Sequence, residues 1–107
     1  MYVFPPLPVA PVVWLSKTTV GAGIGQDLTL SCHIDSFPPS VNYWIRKDGD
    51  IIRESEKYRL ISEEKDSYKT QFTLVVRNVN REDFGGYTCL AKNPLGSKEA
   101  LLTVGGK

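Results

Sequence analysis

Three residues narrow what this chain can fold into more than any others: Cys32, Trp44 and Cys89, each set in a short run with the character of a β-strand. From Asp27 to Ile34, Leu28, Leu30, Cys32 and Ile34 alternate with Asp27, Thr29, Ser31 and His33. Successive side chains of a strand point to opposite faces, so this run has one core face and one wet face. Phe72, Leu74 and Val76 repeat the alternation against Gln71, Thr73, Val75 and Arg77, and Tyr87, Cys89 and Ala91 do so against Thr88, Leu90 and Lys92. Both cysteines, 57 positions apart, therefore face inward. Trp44 follows the first by 12 residues, in Asn42-Tyr43-Trp44-Ile45-Arg46, and its ring can fill the wide gap between two facing sheets.

The rest of the chain agrees with an all-β reading. Short apolar or alternating runs recur about every eight to twelve residues from Val12 onward, and none holds a 3.6-residue period over three turns. Phe37-Pro38-Pro39-Ser40, Lys47-Asp48-Gly49-Asp50 and Asn93-Pro94-Leu95-Gly96 supply turns, the last two as hairpins. A length of 107 residues suits one domain with a modest core. Residues 1–10 are Pro-rich and read as an extended linker or an artificially added segment, residues 11–104 as the folded domain and 105–107 as a tail.

Asp83-Phe84-Gly85-Gly86-Tyr87-Thr88-Cys89 resembles the D-x-G-x-Y-x-C signature of immunoglobulin domains, and Cys32, Trp44, Asp83, Gly85, Tyr87 and Cys89 stand in that family's order. The resemblance implies a two-sheet Greek-key sandwich with one inter-sheet disulfide, Cys32–Cys89, Trp44 packed beside it, and the Tyr87 hydroxyl bonded to backbone just upstream. Between Trp44 and Cys89, 45 residues leave room for strands C, C′, D, E and F but little for a C″ hairpin, which resembles the intermediate (I-set) type. Asn42-Tyr43-Trp44, the Lys47-Asp48-Gly49 turn and Ala91-Lys92-Asn93-Pro94 are similar to the later immunoglobulin domains of lachesin, the Dpr-interacting proteins and the IgLON family. That likeness implies an extracellular module of a cell-surface or secreted neuronal adhesion protein. Its partners would be neighbouring immunoglobulin modules and another cell-surface protein, homophilic or heterophilic. I-set modules also occur in cytosolic muscle giant proteins, where Cys32 and Cys89 would be buried thiols. The sequence departs from the glycosylated surface families in having no Asn-x-Ser/Thr sequon, Asn93 being followed by Pro94.

Reactive chemistry finds little support. Gly21-Ala22-Gly23-Ile24-Gly25 lacks the G-x-G-x-x-G spacing and leads into a strand, which makes it a turn. His33 is the single histidine and cannot close a zinc site alone. Asp48 and Asp50 have no further carboxylate at a chelating spacing. Glu63, Glu64 and Asp66 read as a polar connection between strands, and neither Ser16 nor Ser31 has a histidine placed by any signature to activate it. No catalytic, metal or cofactor residue is expected. Arg53, Lys57 and Arg59 are the densest basic stretch, broken by Glu54 and Glu56. With 13 Lys and Arg against 12 Asp and Glu, no one-signed field exists to hold nucleic acid or an anionic membrane, and no run is long and apolar enough for direct membrane insertion.

Function then falls to surfaces: the module either docks a partner protein on one sheet or holds neighbouring modules at a fixed spacing, and resemblance to later rather than first domains implies the spacer role ahead of the docking one. The outward positions of the sheet built from strands C, C′, F and G are Tyr43 and Ile45, Ile51 or Ile52, and Leu90 with Lys92. Of the two isoleucines, Ile52 is taken as the outward one. An apolar centre with polar neighbours is the makeup of a protein interface. Trp14, on the first strand, is read as covering its own sandwich edge.

Overall fold

The alternating run at the centre of the sequence becomes β3, Leu28–Phe37, with Leu28, Leu30, Cys32, Ile34 and Ser36 all turned into the core. The structure is a computed structural model that describes residues 7–107. Around β3 stand β1 (Val9–Trp14), β2 (Thr19–Ala22), β4 (Val41–Arg46), β5 (Tyr58–Asp66), β6 (Lys69–Val76), β7 (Gly85–Asn93) and β8 (Gly96–Gly106). They form two four-stranded sheets, β1-β3-β6-β5 and β2-β8-β7-β4. β2 and β8 run parallel, from Thr19↔Thr103 to Ala22↔Gly106, while the other ladders are antiparallel. The first strand thus starts on one sheet as β1 and continues on the other as β2.

Cys32 and Cys89 are fully buried and joined across the two sheets, with a Cα–Cα distance of 6.5 Å. Trp44, opposite Cys89 in the β4–β7 ladder, is equally buried, and its indole stacks on Phe72 of the facing sheet at 6.3 Å between centroids. Leu30, Leu74, Val76, Val79, Leu102 and Val104 complete the centre of the core.

Before β7 the chain makes a single 3₁₀ turn, Arg81–Asp83, capped by Asn80, whose side chain accepts the Glu82 N–H while Asp83 accepts the Asn80 N–H. The buried Asp83 carboxylate also pairs with the Lys57 ammonium at 2.7 Å. Below it the buried Tyr87 hydroxyl donates to the Asp83 carbonyl at 2.6 Å, the backbone bond that the resemblance implied. Arg46 lies over the Tyr87 ring at 4.1 Å and donates to the carbonyls of Glu82, Asp83 and Phe84. The carbonyls at the end of the 3₁₀ turn are thereby satisfied.

Burial pushes the Tyr87 phenol up from its ordinary value of 10.0 to about 12, against the opposing pull of the Arg46 guanidinium. The folded domain therefore keeps a proton that an unfolded chain releases near pH 10. Stability from this group is complete below about pH 10 and is lost as pH rises toward 12, by about 2–3 kcal/mol at most. Urea midpoints measured from pH 9 to 11.5 are expected to fall more steeply for the native chain than for Tyr87→Phe. Equal slopes would show that Tyr87 is not the group responsible.

Some expectations are corrected. Strand C′ is absent as a strand: after the Lys47–Asp50 turn the chain makes one antiparallel bridge, Ile45↔Ile51, and the Ile52 N–H reaches the Trp44 carbonyl at 2.9 Å before the chain crosses to the other sheet. Glu63, Glu64 and Asp66 lie within β5, whose turn to β6 is the two residues Ser67 and Tyr68. Charges on that edge strand are a common guard against pairing with other chains. β1 begins at Val9, ahead of Pro11, and β8 continues past Val104 to Gly106. The linker expected over residues 1–10 falls in part on residues 1–6, outside the described residues.

Candidate functional site

The outward face of the β2-β8-β7-β4 sheet is built from the residues left over when Trp44, Tyr87, Cys89, Ala91, Leu102 and Val104 turn inward. Register arranges them in rows. Val41 pairs with Lys92 and Lys92 with Ser97; Tyr43 with Leu90 and Leu90 with Glu99; Ile45 with Thr88 and Thr88 with Leu101. Ile51 extends the last row by its bridge to Ile45. Val41, Ile51 and Leu101 are 58%, 48% and 59% exposed, and Tyr43, Ile45 and Leu90 are half-buried. Six apolar side chains thus share one face, with the charges of Lys92 and Glu99 flanking Leu90.

The facing sheet's outer surface is more polar, with half-buried Ile61 and Val75 set among its hydroxyls and charges. Ser31 and Thr73 hydroxyls bond at 2.9 Å, Gln71 donates to Ser31, and Lys69 pairs with Asp35 at 3.5 Å. Its exposed apolar residues, Val12 and Trp14, sit on the edge strand β1. Trp14 stacks on His33 at 4.1 Å, and the Ser16 hydroxyl lies 3.2 Å from the His33 Nε2 atom. This ring covers its own sandwich, and His33 is partly shielded beneath it.

Of the residues expected on the docking surface, Tyr43, Ile45, Leu90 and Lys92 are brought together, and Ile52 is not. Ile52 is 5% exposed and belongs to the core, while its neighbour Ile51 faces out. The reason is the missing strand C′: the chain bends inward after one bridge instead of keeping the alternation that strand pairing would impose. Val41 and Leu101 were overlooked. Leu101 was open to detection, since Ala100, Leu102 and Val104 alternate inward around it.

The basic stretch does not form a single patch, because Lys57 is committed to Asp83 while Arg59 lies exposed on β5. The Asp48 side chain accepts the Asp50 N–H at 3.1 Å, as a turn-forming residue does. Among the described residues there is no group of three or more His, Cys, Asp or Glu placed to hold a metal, and no helix is long and apolar enough to cross a membrane.

The family model for the immunoglobulin domain matches residues 10–93. Lachesin of Drosophila melanogaster is 31% identical over 95 residues, covering 89% of this chain and 26% of that protein. Neural cell adhesion molecule 1 of Rattus norvegicus is 34% identical over 97 residues, covering 88% of this chain and 11% of that protein. The chain thus spans about a quarter or less of these relatives. Among solved structures, the complex of Dpr2 Ig1-Ig2 with DIP-Theta Ig1-Ig3 matches with a TM-score of 0.86 and 34% identity, covering 91% of this chain and 32% of that chain. Titin M4 shares the fold, with a TM-score of 0.80 at 21% identity.

Proposed function

The chain belongs to the immunoglobulin-domain family, and from that premise we propose that it is a non-enzymatic extracellular module of a neuronal cell-surface or secreted adhesion protein, docking another surface protein through the outward face of β4, β7 and β8. The observation that carries this reading is the asymmetry of the two outer surfaces. One sheet sets six apolar side chains in adjoining rows with a polar rim, the makeup of a recognition surface, while the other interleaves Ile61, Val75 and the His33-stacked Trp14 with hydroxyls, amides and paired charges. The Cys32–Cys89 bridge supports an oxidising compartment over the cytosol of a muscle-type array. Similarity to a neural cell adhesion molecule and to one member of a complex between immunoglobulin-domain proteins supports recognition between cell surfaces.

A spacer role has its own support. β1 starts beside the β7–β8 turn, where the Asn93 amide donates to the Val9 carbonyl, and β8 runs 11 residues away from that turn to Gly106, so modules joined through these ends would be held apart by the length of the sandwich.

The two roles are separated by beads coated with the domain and allowed to settle on cultured neuronal cells. Ile45→Lys and Leu90→Lys are each expected to lower adhesion at least tenfold while moving the melting temperature by only a few degrees, since both side chains lie on the wet side of the sheet. Adhesion unchanged in both well-folded variants would leave the spacer role alone standing.

A further inference from the structure

The β2-β8-β7-β4 sheet ends at β4, and the missing strand C′ leaves part of that edge uncovered. Backbone groups of an antiparallel strand point alternately to its two sides. Trp44 accepts the Ile52 N–H and Arg46 donates to the Asp50 carbonyl, so both turn their backbone groups away from β7, and by alternation Asn42 does the same. A full pairing of Trp44 with Ile52 would also send the Trp44 N–H to the Ile52 carbonyl. The chain has already bent toward β5, and that bond is not made. Among the described residues the Trp44 N–H has no acceptor although Trp44 is fully buried, and the Asn42 N–H and carbonyl have no partner on this side.

The opposite wall of the gap is closed. On β5 the Leu60 N–H donates to the Glu54 carboxylate at 2.7 Å and the Tyr58 N–H to the Ser55 hydroxyl at 3.2 Å, which caps that edge. Between the two edges lies a groove of about 560 Å³, lined by Asn42, Tyr43, Ile52, Arg53, Glu54 and Leu60. Its two charges differ in commitment: Glu54 serves the Leu60 N–H, while Arg53 has no ion-pair partner among the described residues.

We infer that this groove takes the C-terminal end of an extended peptide, laid parallel to β4 as an added strand, with its carboxylate between the Trp44 N–H and the Arg53 guanidinium. The direction follows from which groups are unpaired. In a parallel ladder one residue bonds the groups on either side of the residue it faces. A peptide residue facing Tyr43 therefore donates to the Asn42 carbonyl and accepts from the Trp44 N–H, and the residue facing Val41 accepts from the Asn42 N–H. All three groups are satisfied without the Trp44 carbonyl, which Ile52 holds. An antiparallel peptide would reach the Trp44 N–H only from the position that Ile52 occupies. The same obstruction ends the added strand. The residue facing Tyr43 is the last one, and its carboxylate meets the uncommitted cation of the groove. The penultimate side chain, facing Asn42, turns toward Leu60 and selects an apolar residue. Main-chain bonds supply affinity in this mode, and the terminal carboxylate supplies specificity. The site is an edge of the sheet and does not rest on the docking face proposed above.

The probe is acetyl-Ser-Thr-Leu-Thr with a free carboxylate, compared with its C-terminal amide. Titrated to about 10 mM into the isotope-labelled domain, the acid is expected to move the Trp44 and Asn42 amide resonances downfield and saturably. The amide is expected to bind at least tenfold more weakly, and so is the acid to Arg53→Ala, whose exposed side chain can be removed without loss of folding. Arg59→Ala, exposed on β5 outside the groove, is expected to bind the acid as the native chain does. A nitroxide in place of the acetyl group is expected to broaden the Ser40 and Val41 resonances and spare Ile51 and Arg53. No saturable shift at Trp44 by about 10 mM, equal binding of acid and amide, or broadening at Ile51 and Arg53 overturns the assignment. A Trp44 amide that shifts with protein concentration alone also overturns it, giving the edge to a second copy instead.

Discussion

Replacing Trp44 by alanine is expected to cost about 3–5 kcal/mol, enough to leave a domain of this size largely unfolded at 37 °C. The indole is fully buried, stands opposite Cys89 in the ladder and stacks on Phe72 across the core. Its removal opens a cavity bounded by two sheets that the disulfide holds together, so collapse around the void is limited. The Trp44 Nε1 atom is buried and has no hydrogen-bond partner, which places the ring's contribution in packing. Trp44→Phe, which keeps most of the apolar contact and removes the unpaired N–H, is accordingly expected to retain much more stability than Trp44→Ala. Urea denaturation followed by circular dichroism reads both. A Trp44→Ala melting temperature within a few degrees of the native value would show that the core is organised elsewhere.

Loss of the disulfide is the second large effect. The bridge closes a loop between residues 57 apart in sequence, which on a chain-entropy estimate stabilises the domain by about 4 kcal/mol through the unfolded state. Protein from an oxidising compartment, unfolded without reductant and treated with a thiol alkylator, is expected to gain no mass. After reduction it should gain two alkyl groups and unfold at much lower urea. Two alkyl groups gained without any reductant would transfer the proposal from an extracellular adhesion module to a cytosolic scaffold domain.

The alternation in Leu28 to Ile34, Phe72 to Val76 and Tyr87 to Ala91 was legible because each run is paired on both sides or faces the core over several residues, so period and burial coincide. Ile52 shows where that logic stops. Assigning it outward assumed that β4's partner continues beyond the turn; the chain leaves after one bridge, and a shift of a single residue moves a side chain to the opposite face. Glu63 and Glu64 misled in the other direction, since a polar run reads as a loop even where edge-strand charges are solvated on both sides. The pairing of Lys57 with Asp83, across 26 residues, carries no local signal at all. Tyr43, Ile45, Leu90 and Lys92 were identified from alternation alone, but their rows with Val41, Glu99 and Leu101 follow from ladder register, which only the folded sheet supplies.

The parallel pairing of β2 with β8 bears on how the domain carries load. β2 is held from its upstream end at Thr19 and β8 from its downstream end at Gly106, and the two strands point the same way. Tension drawn between the ends of the chain slides one strand along the other and stresses the four paired positions from Thr19 to Ala22 together, as in a lap joint. An antiparallel pair pulled from adjacent ends would instead open one bond at a time. A module joining two surfaces under traction is in this way braced along the direction in which it is pulled.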